Sequence, residues 1–169
     1  ESFRGDGRAS IWGNSLFINE GQGRYREASD EFNTENYWPW GPSVGDLNAD
    51  GFDDVFITAS MNYPFRYSTN AVKLNDAGRR FVNAEFLLAV EPRSGGLTTP
   101  WFELDASGRD RAHRDAAGLT GRVSIVGARG SRASAIFDVD GDGDLDIVTN
   151  EFGTAPMVLM SNLIERTQV

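Results

Sequence analysis

The sequence contains no cysteine, so it forms no disulfide and no thiolate zinc site. That absence assigns no compartment, because many exported bacterial proteins also lack cysteine. Histidine is nearly absent too: His113 is the only one, set among charges in RDRAHRDAAG. With no cysteine and no second histidine, no Ser-His or Cys-His triad is evident, and His113 reads as a solvated loop residue. Long apolar runs are missing, and Phe86–Val90 is far too short to cross a bilayer. Basic residues are scarce, 16 against 25 acidic ones, for a net charge of −9. Nucleic acid and anionic membranes need clustered Lys and Arg, so neither is an expected partner. The chain opens at Glu1 without Met or a leader segment, as expected of a processed, cropped or partial chain.

What is present suits one domain of 169 residues with a true core: 40% of residues are hydrophobic, with 11 Phe, 4 Trp and 4 Tyr. Nineteen Gly point to many tight turns and hence to a β-rich chain. The acidity is local. Nine Asp fall in two short segments: Asp46, Asp50, Asp53 and Asp54 in one, and Asp138, Asp140, Asp142, Asp144 and Asp146 in the other. Acid at fixed spacing points to cations rather than to a solvated surface.

Internal repetition organises the rest. Asn14–Asn19 runs into a Gly-containing turn and then Tyr25, and Asn70–Asn75 runs into one and then Phe81, 56 residues later. Each copy predicts a β-hairpin. A weaker third copy, Met157–Asn162, supplies only a first strand. The acidic segments DLNADGFDD (Asp46–Asp54) and DVDGDGDLD (Asp138–Asp146) lead into the β-prone runs Val55–Thr58 and Ile147–Thr149. The unit is therefore strand, acidic loop, strand, variable loop, hairpin. This predicts an all-β fold of four-stranded antiparallel propeller blades with almost no helix. Strands are expected at Leu16–Asn19, Val55–Ala59, Val72–Asn75, Phe81–Ala84 and Ile147–Thr149. The chain divides into a blade end at about 11–30, a blade at about 40–90, a long loop or insertion at about 92–121 and a blade at about 122–165.

Both acidic loops carry Asp at position 1, Asp or Asn at 3, Asp at 5, Gly at 6 and Asp at 9. Calcium takes six to eight hard oxygen ligands, and side chains at 1, 3 and 5 converge when a loop curls round an ion. Gly51 and Gly143 permit the sharp turn. The predicted ligands are Asp46, Asn48, Asp50, the Phe52 carbonyl and Asp54 in the first loop. In the second they are Asp138, Asp140, Asp142, the Asp144 carbonyl and Asp146. These are not EF-hands, since position 12 is Ile57 or Thr149 and a strand follows directly. The plain alternative is an ordinary Asn/Asp/Gly turn. Two complete loops at the same place in a repeat weigh against it. Magnesium is the lesser choice because it prefers rigid, water-rich octahedral sites.

Other features carry less. Arg4-Gly5-Asp6 spells an integrin-recognition tripeptide but reads as a turn. Asp53 and Asp54 resemble a glycosidase pair only by adjacency, and neighbouring strand residues face opposite ways. Tyr37-Trp38-Pro39-Trp40 is the densest aromatic cluster and reads as packing between blades rather than a sugar-stacking surface. Asn62–Tyr67 is a loop after a blade strand and a plausible contact surface.

Gly45–Ser60, Phe137–Asn150 and the hairpin Asn14–Ser29 resemble the VCBS/FG-GAP repeat family, calcium-loop β-propellers related to the integrin α-subunit head. The run from Arg129 to Leu163 is similar to the last blade in bacterial proteins that carry an ASPIC/UnbV domain, the cartilage acidic protein group. The resemblance implies calcium at the residues named above and an exported, non-enzymatic module for recognition or adhesion with a protein or glycan ligand. It leaves as alternatives the propeller of a secreted polysaccharide-active enzyme and a repeat of a surface fibre or layer. Closed propellers need at least four blades. Two or three are expected to be completed by further blades or further chains.

Overall fold

In the computed structural model, residues 4–5, 8–9, 13–36, 38–59, 69–91, 98–128, 130–151 and 155–163 are described. Among them β1 (Arg4–Gly5) pairs with β2 (Arg8–Ala9), and β3 (Phe17–Gly21) pairs with β4 (Arg24–Glu27). A one-turn helix α1 (Ser29–Phe32) leads to a four-stranded antiparallel sheet. Its strands run in order β5 (Pro39–Gly45), β6 (Asp54–Ala59), β7 (Ala71–Asn75) and β8 (Phe81–Asn83). A hairpin of β9 (Thr98–Asp105) and β10 (Arg122–Ala128) follows, with a short 3-10 turn at Arg114–Ala116 between its strands. Last comes a three-stranded sheet of β11 (Ser131–Phe137), β12 (Asp146–Glu151) and β13 (Met157–Leu159). The fold is all-β and built of partial propeller blades, as the sequence predicts, and each expected strand is present within two residues at either end. Asp6, Tyr37 and Asn62–Tyr67 lie outside the described residues.

Sequence explains the strand order within the four-stranded sheet. β5 contains Pro39 and Pro42, which cannot donate to a ladder and so belong on an edge. β6 is apolar through Val55-Phe56-Ile57, and Phe56 to Ala59 are buried, as suits a strand covered on both faces. β5 and β11 pack beside each other, so the leading edges of the two sheets are neighbours.

The 56-residue repeat holds at the level of single hydrogen bonds. Ala28 N–H donates to the Leu16 carbonyl and Ala84 N–H to the Val72 carbonyl, both at 2.9 Å. One turn later Phe32 N–H reaches Ala28 and Leu88 N–H reaches Ala84, and each turn ends on a left-handed residue, Asn33 (φ 56°) or Ala89 (φ 57°). The third hairpin needs a one-residue correction. Written out, Met157–Asn162 sets Asn162 against Asn75. The ladders pair Val55 with Lys73 and Ile147 with Leu159, which puts Ser161 in the place of Asn75.

The acidic loops lie 92 residues apart and the hairpins 56, so the second repeat is longer by 36 residues. The extra length is the β9–β10 hairpin, an inserted element that runs on to Ala128, past the expected end at about 121. Arg122–Ala128 pairs with Thr98–Asp105 and not with the blade that follows. The hairpin has its own small core of Leu104, Ala106 and Ala116, with Val123 against it.

Between sheets, Phe56, Val72, Ala84, Val90 and Ile147 form the main core. Trp40 is 52% exposed rather than buried as expected, and the Arg132 guanidinium lies 3.9 Å from its ring centroid. Lys73, the only lysine in the chain, is 2% exposed. Its ammonium donates to the carbonyls of Asn33 and Glu35, each at 3.0 Å, and to Asn83 Oδ1 at 2.7 Å. It therefore ties α1 and the segment after it to the next sheet. Buried Asn70 joins both ends of the inserted stretch: its N–H donates to Glu91 Oε1 and its Nδ2 to Ser131 Oγ, both at 2.9 Å.

Candidate metal loops

Each acidic loop joins the leading strand of its sheet to the second, β5 to β6 and β11 to β12. Asp46 uses both carboxylate oxygens on the loop, accepting from Asp50 N–H (3.0 Å) and Gly51 N–H (2.8 Å). Asp138 does the same with Gly141 (2.7 Å) and Gly143 (3.0 Å). At position 3, Asn48 and Asp140 accept from Asp50 and Asp142 N–H, both at 3.2 Å. At position 5, Asp50 and Asp142 accept from Phe52 and Asp144 N–H, both at 2.9 Å. Gly51 and Gly143 take φ of 88° and 98°, the left-handed turn expected at position 6.

Position 9 is the most enclosed. Asp54 and Asp146 are 0% and 1% exposed. Asp54 accepts from Leu47 N–H at 2.9 Å and Asn75 N–H at 2.7 Å. Asp146 accepts from Val139 N–H at 2.9 Å and Ser161 N–H at 2.7 Å. One carboxylate thus fastens the start of the loop to the second strand and also holds the end of β7 in one sheet and the residue two past β13 in the other. Burial raises the Asp54 carboxyl above its ordinary range; the amides of Asn75 and Leu47 oppose this, and the charges of Asp50 and Asp46 add to it. At Asp142 the Asp144 amide pulls the carboxyl down, but burial and the charges of Asp140, Asp144 and Asp138 outweigh it and leave it raised.

Carboxylate oxygens of Asp138, Asp140 and Asp146 lie within 4.8 Å of one another, the one such acidic trio among the described residues. In the first loop Asn48 stands in place of Asp140, and Asp46, Asp50 and Asp54 do not gather as closely. Asp142 lies outside the trio, with Oδ1 on the Asp144 amide. The donors are all hard oxygens, which fits calcium or magnesium chemistry and not a soft metal. Like charges this close repel without a cation.

Two features lie beyond the sequence reading. Asp144, expected to offer only its carbonyl, has a buried carboxylate that accepts from Ser161 Oγ at 3.4 Å. Ala49 adopts φ 56° where the other loop has Gly141 at 82°, so the first loop is strained and the second is not. Aligning the two loops residue by residue exposes that second difference. Of the adjacent carboxylates, Asp53 is exposed while Asp54 is buried.

A leading strand, an acidic loop with a buried closing aspartate and a following hairpin, repeated along the chain, define a β-propeller repeat module. Residues 3–57 match the FG-GAP-like repeat and residues 38–79 the FG-GAP repeat. Over this stretch the chain is similar to FG-GAP repeats, and the first acidic loop lies inside both matches. No curated protein and no solved structure matches the chain.

Proposed function

We propose that this chain is a calcium-binding propeller module that acts outside the cell, in recognition or adhesion and without catalysis of its own. The observation that carries this is the repetition of one loop geometry at one place in two sheets, each loop closed by a buried aspartate. FG-GAP repeats generally bind calcium and are typically extracellular. Loops of this kind fill where free calcium is abundant, at Kd values of about 10⁻⁴–10⁻³ M. Asp46, Asn48, Asp50, Asp54 and the Phe52 carbonyl would hold one ion, and Asp138, Asp140, Asp142, Asp146 and the Asp144 carbonyl the other. Each ion would neutralise its crowded carboxylates and tie two strands together. The run from Arg129 to Leu163 favours kinship with the ASPIC/UnbV-associated group. A protein or glycan would be the partner, with further blades or chains completing the ring.

The test is a thermal melt of wild type, Asp50→Ala and Asp142→Ala, each in calcium and in EDTA. Calcium at a hundredfold excess over Kd adds about 2.7 kcal/mol per site. Wild type should melt higher in calcium than in chelator, and each variant should lose part of that gain. A wild-type melting temperature indifferent to EDTA would reduce both loops to ordinary turns.

A further inference from the structure

In both sheets the amide at the same register position holds the closing aspartate: Asn75, the last residue of β7, on Asp54, and Ser161, two residues past β13, on Asp146, each at 2.7 Å. What the side chain at that position then does differs. Asn75 Nδ2 donates to the Asp53 carbonyl at 3.0 Å, at the exit of the first loop. Its Oδ1 accepts from Gly78 N–H at 2.7 Å, in the turn between β7 and β8. One carboxamide therefore joins the hairpin turn to the acidic loop. Asn19, its counterpart 56 residues earlier, also accepts from its own turn, but from the residue two on, Gly21 N–H at 2.9 Å, where Asn75 reaches the residue three on. In the third sheet Ser161 reaches the loop instead through Asp144, at 3.4 Å.

We propose that the Asn75 side chain is the positioning residue of the first ion loop. It touches no ion. It fixes the Asp53 carbonyl and the hairpin turn to each other, and so keeps the Asn75 amide on Asp54 and the Asp54 carboxylate aimed into the loop. Outer contacts of this sort orient the ligands of metal sites, and losing one typically weakens binding about 10–100-fold. The first loop needs this support more than the second, since it has one carboxylate fewer and a strained Ala49. The inference rests on the calcium reading of the loop.

The experiment is calcium titration calorimetry on the intact chain in an Asp142→Ala background, which isolates the first loop, with and without Asn75→Ala. Asn75→Ala should weaken calcium binding about tenfold or more. It should also shrink the rise in melting temperature between EDTA and calcium. Asn75→Ser, which introduces the residue used in the third sheet, is a milder variant. It should weaken binding too, because position 7 of this loop is Phe52 and offers a hydroxyl no carboxylate. A purely structural role would lower both melting temperatures equally and leave the affinity unchanged, and that result overturns the inference while the calcium reading stands. If the Asp142→Ala protein takes up no calcium at all, the calcium reading of this loop falls and the inference falls with it.

Discussion

The hydroxyl oxygens of Ser43 and Ser134 stand 2.6 Å apart, and Ser43 Oγ also donates to the Ser134 carbonyl at 2.9 Å. Two residues 91 apart in sequence thus pin the leading strands of neighbouring sheets side by side. So close an approach requires small residues, and Gly45 is one of them. A Cβ there would lie 3.0 Å from Ile136 Cγ2 and 3.1 Å from Leu145 Cδ1. Gly45→Val should therefore destabilise the chain by about 1–3 kcal/mol through overpacking. Urea melts check this, and a variant as stable as wild type would mean that the sheets do not meet here.

Lys73 occupies the place taken by Leu159 in the third sheet, yet it is charged and buried. Burial lowers its affinity for a proton, while Glu85 and Glu35 oppose that shift. Lys73→Met would take this donor from the Asn33 and Glu35 carbonyls and from Asn83 Oδ1, at a cost of about 1–3 kcal/mol. As the only ε-amine in the chain, it also reports its own enclosure. Acylation followed by mass spectrometry should find Lys73 protected in the native protein and labelled as the sheets separate. Rapid labelling under native conditions would contradict the packing described.

Asn48→Asp would give the first loop the same carboxylates at positions 1, 3, 5 and 9 as the second. It also removes the bond from Asn48 Nδ2 to Asp50 Oδ2, 3.0 Å long. The expected outcome has two signs: a lower melting temperature in EDTA, from added repulsion, and a larger gain on adding calcium. Differential scanning calorimetry in both buffers separates them. Equal shifts in both buffers would argue against an ion at this loop.

Ala49→Gly relieves a left-handed alanine and should stabilise the first loop by about 1 kcal/mol with or without calcium. Denaturant titration is sufficient. A neutral or unfavourable change would show that the Ala49 backbone is not strained.

The carboxyls of Asp54 and Asp142 are raised, so without metal the folded chain binds their protons more tightly than the unfolded chain does. Their contribution is fully present below the ordinary aspartate range and is lost as pH rises through the raised values. In EDTA these two groups should therefore reduce stability as pH climbs out of the acid range. Calcium needs the ionised forms, so the difference between calcium and EDTA melts should widen over the same interval. A difference independent of pH would disconnect these carboxylates from the ion.

Much of this was legible in the sequence wherever chemistry repeated at a fixed spacing. The acidic loops, the paired hairpins and the expected strands all lie where alternating apolar residues, Gly turns and Asp spacing put them. The inserted hairpin was not legible, because its strands are separated by a long charged turn and β9 contains Pro100, which argues against a strand. Lys73 was invisible because lysine is ordinarily a surface residue, and only tertiary carbonyls make its burial tolerable. The turns after the β3–β4 and β7–β8 hairpins are single helical turns, too short for a period to emerge. Ser161 escaped notice because serine resembles the asparagine it replaces only in the bond its main chain makes.

Asn70 grips the two ends of the inserted stretch at once, Glu91 on one side and Ser131 on the other. The entropy of bringing those ends together is thus met by the scaffold, and each doubling of the length between them adds only about 0.6 kcal/mol. That makes the junction a natural cloning site. A fluorescent reporter, an epitope or a binding loop could replace the β9–β10 hairpin there while both acidic loops and both leading strands keep their places.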